Sequence, residues 1–474
     1  MKARIVLAAL LLLGGCTVGP DYRRPAAPTA AAFKELQGWQ PAAPQDSLAK
    51  GVWWSIYRDP ELDALEQRVA VSNQNVAAYT AQYHNALALV AGARAGFFPT
   101  LGLGASDTRS LASSTLSRRS VTRTQYGGNG SASWEPDLWG KIRRQVEGQV
   151  ANAQVSAADL ANATLSAQVA LATDYFEMRG ADALADLLRT TVADYRRSLA
   201  IAQNQYRAGI VSRADVANAE ALLRAAEAQR AGVGAGRQQY EHAIAVLTGQ
   251  PPAALTVPPA SLSPVVPVVP PGLPSALLQR RPDVAAAERA MAAANANIGV
   301  QTAAFYPSLS LSATGGFAGD PLGQLFTLGN AVWQLAASGS ETVFAGGARR
   351  AAVAAARASY EQTVANYRQS VLSAFQQVED ALSNLRILGQ QAAAEAVAVR
   401  AAEDALAVAT NAYRAGTVPY TSVITAELQL QSDRQSALSV QQSRMVASVA
   451  LVSALGGGWS AADLPDKAAV EAGR

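Results

Sequence analysis

Several landmarks of this chain recur about half a chain apart. Tyr206-Arg207-Ala208-Gly209 returns 207 residues later as Tyr413-Arg414-Ala415-Gly416. Phe97-Phe98-Pro99-Thr100-Leu101 returns 208 residues later as Phe305-Tyr306-Pro307-Ser308-Leu309, and Leu247-Thr248-Gly249 returns at the same 208-residue spacing as Leu455-Gly456-Gly457. Three landmarks in register over such a distance indicate a duplicated unit. Because each copy holds both a strand-period segment and very long helical runs, the repetition points to a symmetric tube rather than a compact enzyme.

The helical runs are unusually long. No proline occurs between Pro136 and Pro251 or between Pro321 and Pro419, and stretches such as Ala348 to Ala358 and Ala392 to Ala409 are rich in alanine, the best helix former. A helix from about Gly140 to Tyr206, or from Gly346 to Tyr413, would be on the order of 100 Å long at about 1.5 Å per residue. Each run stops at Tyr-Arg-Ala-Gly and resumes at about Asp215 to Leu247 or Thr421 to Leu455. Gly209 and Gly416 suit the left-handed residue that ends a helix, so each copy is expected to form a helical hairpin turning there. A solid coiled-coil bundle would need sustained large residues at its a and d positions, and these are sparse.

Four shorter segments have period 2. Leu101, Leu103 and Ala105 alternate with Gly102, Gly104 and Ser106; Leu309, Leu311 and Ala313 alternate with Ser310, Ser312 and Thr314. Gln125 to Trp134 and Asn330 to Ser338 are their expected partners, the latter with Ala331, Trp333, Leu335 and Ala337 on one face. Each can be extended to the roughly 9 to 11 residues that cross a bilayer as a tilted strand. Phe97, Phe98, Trp134, Trp139, Phe305, Tyr306, Trp333 and Phe344 flank them as candidate interfacial girdles at the strand ends. After the N-terminal region no stretch offers about 18 consecutive apolar residues, so any crossing must be made by strands. Four strands cannot close a barrel, and open edges in lipid cost several kcal/mol per unpaired group; copies must therefore share one barrel, joined head to tail.

The N-terminus reads as an export signal: Lys2 and Arg4 precede an apolar Ile5 to Leu13 and then Gly14-Gly15. Leu13-Gly14-Gly15-Cys16 resembles a bacterial lipobox, making Cys16 the expected lipid-attachment residue and residues 1–15 the signal peptide. It is the only cysteine, so an internal disulfide is impossible. Thr17 stands where lipoproteins kept at the inner membrane carry Asp, so outer-membrane lipid is the expected environment. Setting Lys2 and Arg4 aside leaves 37 basic against 36 acidic side chains and no long basic stretch, which disfavours nucleic acid. Nine prolines between Pro251 and Pro274 mark an irregular link between the copies, and Pro282-Asp283 is a good helix start.

Leu278-Gln279-Arg280-Arg281-Pro282-Asp283-Val284, Ala287-Glu288, Ala294-Asn295-Ala296-Asn297-Ile298-Gly299 and Phe305-Tyr306-Pro307 resemble the signature of the outer membrane factors, the TolC-like export ducts, in their OprM/NodT-type lipoprotein branch. Trp53-Trp54, Asp59-Pro60-Glu61-Leu62 and Asn75, the two Tyr-Arg-Ala-Gly turns, and Leu455-Gly456-Gly457-Gly458-Trp459 extend the resemblance over nearly the whole mature chain. It implies a mixed α/β membrane protein. Long helical hairpins would form a periplasmic α-barrel, and four strands per subunit would enter a shared 12-stranded β-barrel of a homotrimer. The expected divisions are an acylated N-terminal segment and belt (16–60), a first repeat (61–248), a proline-rich equatorial link (249–282), a second repeat (283–455) and a C-terminal equatorial tail (456–474). The family acts as the exit duct of tripartite efflux pumps, with a periplasmic adaptor and an inner-membrane transporter, here expected to be RND-type, as partners. Type I protein secretion through the same kind of duct, or a lipoprotein without a pore, are the alternatives.

The resemblance assigns the hairpin tips to adaptor contact: Tyr206, Arg207, Ala208, Gly209, Val211 and Ser212 in the first copy, and Tyr413, Arg414, Ala415, Gly416 and Thr417 in the second. Relatives carry an acidic ring just beyond the second tip, where this chain has Thr425; Glu427 and Asp215 are the nearest acidic candidates for a periplasmic gate that would favour cations. An exposed helical carboxylate with no such role is the competing reading of both. No phosphate loop, metal-ligand cluster or cofactor motif is found, and His84 and His242 stand far apart, so neither catalysis nor a cofactor is expected.

Overall fold

The structure, a computed structural model, describes residues 17–28, 32–35, 52–113, 120–269 and 279–473. Cys16 and residues 1–15 lie outside them. A short 3₁₀ turn, Trp53–Tyr57, leads into α1 (Pro60–Ser72) and α2 (Gln74–Ala95), followed by β1 (Thr100–Ser113) and β2 (Ser120–Trp134). Then come the long α3 (Lys141–Arg207) and its return α4 (Arg213–Leu247). The second copy runs α5 (Pro282–Ala303), β3 (Ser308–Gly319), β4 (Ala331–Ser340), α6 (Ala348–Arg414) and α7 (Tyr420–Ala454), with a small terminal α8 (Lys467–Glu471).

The duplication holds nearly to the residue. α2 and α5 are both 22 residues long, α3 and α6 both 67, and α4 and α7 both 35. The structural correspondence begins at Gln74 and Pro282; residue 61 lies inside α1, which is set off from α2 by the Asn73 cap. Asn73 Oδ1 accepts from the N–H groups of Asn75 and Val76 at 2.9 and 3.1 Å while its Nδ2 donates to the Leu247 carbonyl at 2.8 Å, so one side chain starts α2 and ties it to the end of α4.

The described residues form one sheet, antiparallel throughout, in the order β1-β2-β3-β4. β4 has 10 residues, within the roughly 9 to 11 expected, whereas β1, β2 and β3 have 14, 15 and 12, because residues such as Asp107, Thr108 and Arg109 continue the β1–β2 ladder beyond the apolar stretch. Helices follow the sheet. Near the strands, α2, α3, α5 and α6 pack side by side in that order, matching the strands they feed; towards the tips the order becomes α4, α3, α7, α6. In both tiers α3 is interior and α6 is at an edge.

The main core lies midway along the long helices, where the N-terminal turn and α1 cross them. Trp53 is fully buried, stands edge-on to Trp54 at 5.9 Å and donates to Gln168 at 3.4 Å; Tyr57 packs on Phe176 at 4.8 Å. Leu62, Leu65 and Val69 of α1 complete this layer against Leu171, Tyr175 and Met178 of α3 and Val449 and Val452 of α7. Asp59 caps α1, accepting from Glu61 and Leu62 N–H groups, and also accepts from Tyr175 Oη at 2.6 Å.

Residues 257–260 of the proline-rich link are held by charged side chains. Asp182 accepts from Arg179 at 3.1 Å, Arg237 at 2.7 Å and the N–H of Ala260 at 3.2 Å; Arg179 also donates to the Pro258 carbonyl at 2.7 Å, and Glu241 accepts from the Val257 N–H at 2.7 Å. A segment with few backbone donors of its own is held by side chains of α3 and α4.

Candidate channel wall, tips and anchor

Cross-strand register decides which residues share a face. Leu101 pairs with Ala132, Ala132 with Ala313 and Ala313 with Leu335; Trp134 pairs with Leu311 and Leu311 with Ala337; Gly315 pairs with Trp333. Directly paired residues point the same way, so these rows form one continuous apolar face. Its side chains are bare in the single chain: Leu103 is 94% exposed and Trp333 79%. The alternate rows, Gly102 with Ser131 and Thr314, and Thr100 with Ser133, Ser312 and Ala336, carry small and mostly polar residues. An apolar face opposite a polar one is the pattern of a strand between lipid and a watery lumen. Among the described residues, β1 and β4 each end the sheet with an unpaired edge.

The aromatic residues at the strand ends are distributed unevenly. Phe97, Phe98, Trp134, Trp139, Phe305, Tyr306 and Phe344 gather at the helix-proximal end. Trp139 stacks on Tyr306 at 4.9 Å and donates to the Pro307 carbonyl at 2.7 Å, and Trp134 donates to the Phe97 carbonyl at 3.0 Å. Trp333 stands near the opposite end, where Phe317 and Phe326 meet edge-on at 5.4 Å. Among the described residues no helix is long and apolar enough to cross a membrane.

The tips are built alike in backbone. Gly209 and Gly416 have φ of +72° and +75°, and Ile210 N–H reaches the Gln205 carbonyl at 2.9 Å as Thr417 N–H reaches Ala412 at 3.0 Å. This six-residue closure is the Schellman motif that a left-handed glycine permits. Side chains differ. In the first tip Ser212 and Asp215 form a capping box, with Ser212 N–H donating to Asp215 at 3.0 Å and Asp215 N–H to Ser212 Oγ at 3.3 Å. In the second, Pro419 holds the cap position, Tyr413 lies 5.2 Å from Tyr420, and Tyr413 Oη donates to Gln205 of the first tip. Tyr206, Arg207, Ala208, Arg414, Ala415 and Thr417 are exposed around the two turns, and Val211 is half-buried.

The three gate candidates are separated in role. Asp215 is engaged in its capping box. Thr425 is exposed and donates back to the Thr421 carbonyl at 3.0 Å. Glu427 lies in the seam between α3 and α7, where Oε1 accepts from Ser198 Oγ at 3.3 Å and Oε2 is buried without a hydrogen-bond partner among the described residues. Burial first, and then the nearby Asp194, raise its carboxyl above the ordinary range, against a lowering by Ser198. The adjoining cavity of about 310 Å³ is lined by Thr191, Asp194, Tyr195, Ser198, Leu430 and Gln431 among others. Sequence reasoning found Glu427 but not this seam, whose α3 side has no counterpart by repeat: Tyr195 and Ser198 correspond to Ala402 and Ala405.

A strap missed by sequence reasoning runs from residue 17. Val18 N–H donates to the Trp139 carbonyl at 3.1 Å, and buried Arg144 donates to the carbonyls of Val18 and Gly19, both at 3.3 Å, and to Asp21 at 2.8 Å. Farther on, Arg24 reaches Tyr367 at 2.9 Å, and Lys34 N–H donates to Glu379 at 2.7 Å. The described residues 17–28 and 32–35 therefore run from the foot of the sheet to the helical middle. The available signal was the small pair Gly19 and Gly299: a Cβ on Gly19 would stand 2.4 Å from the Gly299 Cα.

These features combine with the comparisons. The family model for the outer membrane efflux protein matches residues 65–250 and 273–457, one match on each repeat. The chain belongs to the outer membrane efflux protein family. It is 34% identical over 464 residues to the solvent efflux pump outer membrane protein SrpC of Pseudomonas putida, covering 95% of this chain and 97% of that one. It is 30% identical over 455 residues to the cation efflux system protein CusC of Escherichia coli, covering 95% and 97%. The solved outer-membrane channel OprN superposes with a TM-score of 0.88 at 30% identity, over 94% of this chain and all of that one. The open-state MtrE outer membrane channel of Neisseria gonorrhoeae does so with 0.82 at 28%, over 94% and 99%. As a member of this family the chain is an outer-membrane efflux channel reaching into the periplasm, and the family is one of ducts rather than enzymes.

Proposed function

We propose that three copies of this chain close into one tube, the passive exit duct of a tripartite efflux pump. The observation that carries this is the doubly open wall: a four-stranded sheet with an apolar and a polar face, unpaired at β1 and β4, continuous with a wall of helices that ends at α6. Three such walls, joined β4 to β1, give a 12-stranded barrel without an edge. Energy comes from an inner-membrane transporter of the RND type, and a periplasmic adaptor meets the tips at Tyr206 to Gly209, Val211 and Ser212 and at Tyr413 to Thr417. The repeats 61–248 and 283–455 supply the wall; residues 16–60, the link 249–282 and the tail 456–474 brace it, and acylation of Cys16 anchors it in the outer membrane. Relatives named for solvent, toluene and antibiotic efflux make toxic small organic molecules the cargo class favoured here.

The periplasmic constriction is assigned to the region around Glu427, with Thr425 and Asp215 as its neighbours along the hairpins. Planar-bilayer conductance of the purified protein, with oligomeric mass measured in the same detergent, tests the duct. Discrete steps from a trimer are expected; a monomer without conductance would overturn it. Glu427→Gln in the same recordings should reduce cation preference, and an unchanged preference removes that residue from the gate.

A further inference from the structure

The two repeats can be laid over one another residue by residue. β1 and α2 correspond to β3 and α5 at a spacing of 208 residues, and β2, α3 and α4 to β4, α6 and α7 at 207; Thr100 pairs with Ser133 as Ser308 pairs with Ser340. Within the chain the repeats meet along one seam, β2 against β3 in the sheet, and α3 against α5 and then α7 in the helical wall. The same two flanks recur at the ends of the chain. β4 and α6 repeat the flank of β2 and α3, while β1, α2 and α4 repeat that of β3, α5 and α7.

Residues of the inner seam have counterparts at the outer flanks, and these lie open. Ala158 of α3 is buried with Ala285 and Ala286 of α5. Their counterparts, Ala365 of α6 and Ala77 and Ala78 of α2, are alanine too, and all three are exposed. A Cβ on Gly148 of α3 would stand 3.6 Å from the Ala296 Cβ of α5, an ordinary contact. The counterparts Ala355 and Ala88 are again small and again exposed.

In the sheet the inner seam also fixes a stagger. Following the ladders from Thr100 through Ser133 leads to Ser312, four residues beyond Ser308, the repeat counterpart of Thr100. The same step taken from β4 to β1 of a second copy sets Ser340 opposite Gly104, Ser338 opposite Ser106 and Ala336 opposite Thr108. Outward side chains stay outward: Trp333 falls opposite Leu111 and Gly339 opposite Ala105, whereas a slip by one residue would turn one apolar row to the other face.

We propose that the seam between copies repeats the seam within the chain: β4 pairs with β1 of the next copy with Ser338 opposite Ser106, and α6 packs on that copy's α2 through Ala355 and Ala365. This rests on the reading of three copies sharing one barrel. The stagger is then four residues for every two strands around the whole ring. At about 3.3 Å per residue and about 4.8 Å between strands, it inclines the strands by about 54°, steeper than the usual ~35–45°. A 12-stranded barrel so inclined is about 31 Å across between backbones, against about 24 Å at an inclination of about 40°. The register of this one seam therefore sets the width of the lumen.

The test places cysteines in the full chain, oxidises outer membranes of the producing cells with copper phenanthroline, and reads disulfide-linked dimers and trimers on denaturing gels. Directly paired residues on neighbouring strands stand about 4.5–5.5 Å apart at Cα, within disulfide reach, whereas those displaced by two residues stand beyond about 7 Å. Ser338→Cys with Ser106→Cys should move most of the chain into linked dimer and trimer. Ser338→Cys with Gly104→Cys, or with Thr108→Cys, should leave it monomeric on the gel, and each single variant controls for Cys16. A trimer by mass in mild detergent whose links form at a displaced pair, or at none, overturns the proposal and leaves the shared barrel standing. A monomer by mass overturns both. Ala365→Cys combined with Ala77→Cys or with Ala78→Cys reads the helical wall without touching a strand; one of the two should give linked dimers, and a trimer without links from either also overturns the proposal.

Discussion

α3 and α6 are equivalent helices of 67 residues, yet 22 residues of α3 are buried and only 8 of α6. Composition does not explain the difference, since both are alanine-rich and equally long. Position does: α3 has neighbours on both sides in each tier, whereas α6 ends the wall in each. Leu165 and Leu372 occupy the same place in the two copies, and their exposures are 9% and 49%. Duplication thus supplied two girders of equal length, and only the first was completed within one chain.

That comparison can be broken most severely at this pair. Leu165→Asp places a carboxylate in the α3 core and should prevent the chain from folding, a cost of several kcal/mol. Leu372→Asp should leave a folded chain that no longer assembles. Circular dichroism separates the two on folding, and mass in detergent reads the assembly; a Leu372→Asp protein of unchanged oligomeric mass would place the subunit contact elsewhere.

Next is Asp182, on the interior helix, which balances Arg179 and Arg237 and holds the link. Asp182→Ala strands a buried guanidinium and should cost about 3–5 kcal/mol, visible as a lower melting temperature. Glu403, on the edge helix, pairs with Arg434 at 2.6 Å in partial exposure, and Glu403→Ala should cost about 1 kcal/mol or less.

A third effect is a pH dependence. Glu66 of α1 is fully buried, neither carboxylate oxygen has a hydrogen-bond partner among the described residues, and burial pushes its carboxyl up to about 9. The folded chain keeps the proton while the unfolded chain releases it near the ordinary value, so the contribution is most favourable in acid. It declines as pH rises from about 4.5 to 9, by about 1.4 kcal/mol per unit at most. Melting curves at pH 5 and pH 8 should differ less in Glu66→Gln than in the parent; an equal difference would remove Glu66 as the source.

The smallest effect separates the tips. Ser212→Ala breaks the capping box and should cost about 1 kcal/mol of local stability, whereas Pro419→Ala in the second tip should change little. Hydrogen exchange at residues 213–216 reads the difference.

Much of this architecture was legible in the sequence. Long proline-free runs gave both giant helices, and the glycines of Tyr-Arg-Ala-Gly gave their turns, because helix propensity and a left-handed stop act locally. Alternation located the four strands but not their full length, since residues such as Asp107 and Arg109 continue a ladder by backbone pairing alone. The tips were found as turns, while Tyr413 reaching across to Gln205 is a contact between hairpins that no local pattern encodes. The strap and the seam around Glu427 were hidden for the same reason: Arg144 and Ser198 read as ordinary helical polar residues until folding brings distant segments beside them.

Because β4 and α6 lie on the same flank from sheet to tip, the boundary of each copy is one uninterrupted seam. Withdrawing a single copy from a closed ring would open two seams along their whole length at once, bare β-edges in lipid included. Subunit exchange should therefore be extremely slow once the ring has formed, and a defective copy, once incorporated, would persist for the life of the assembly.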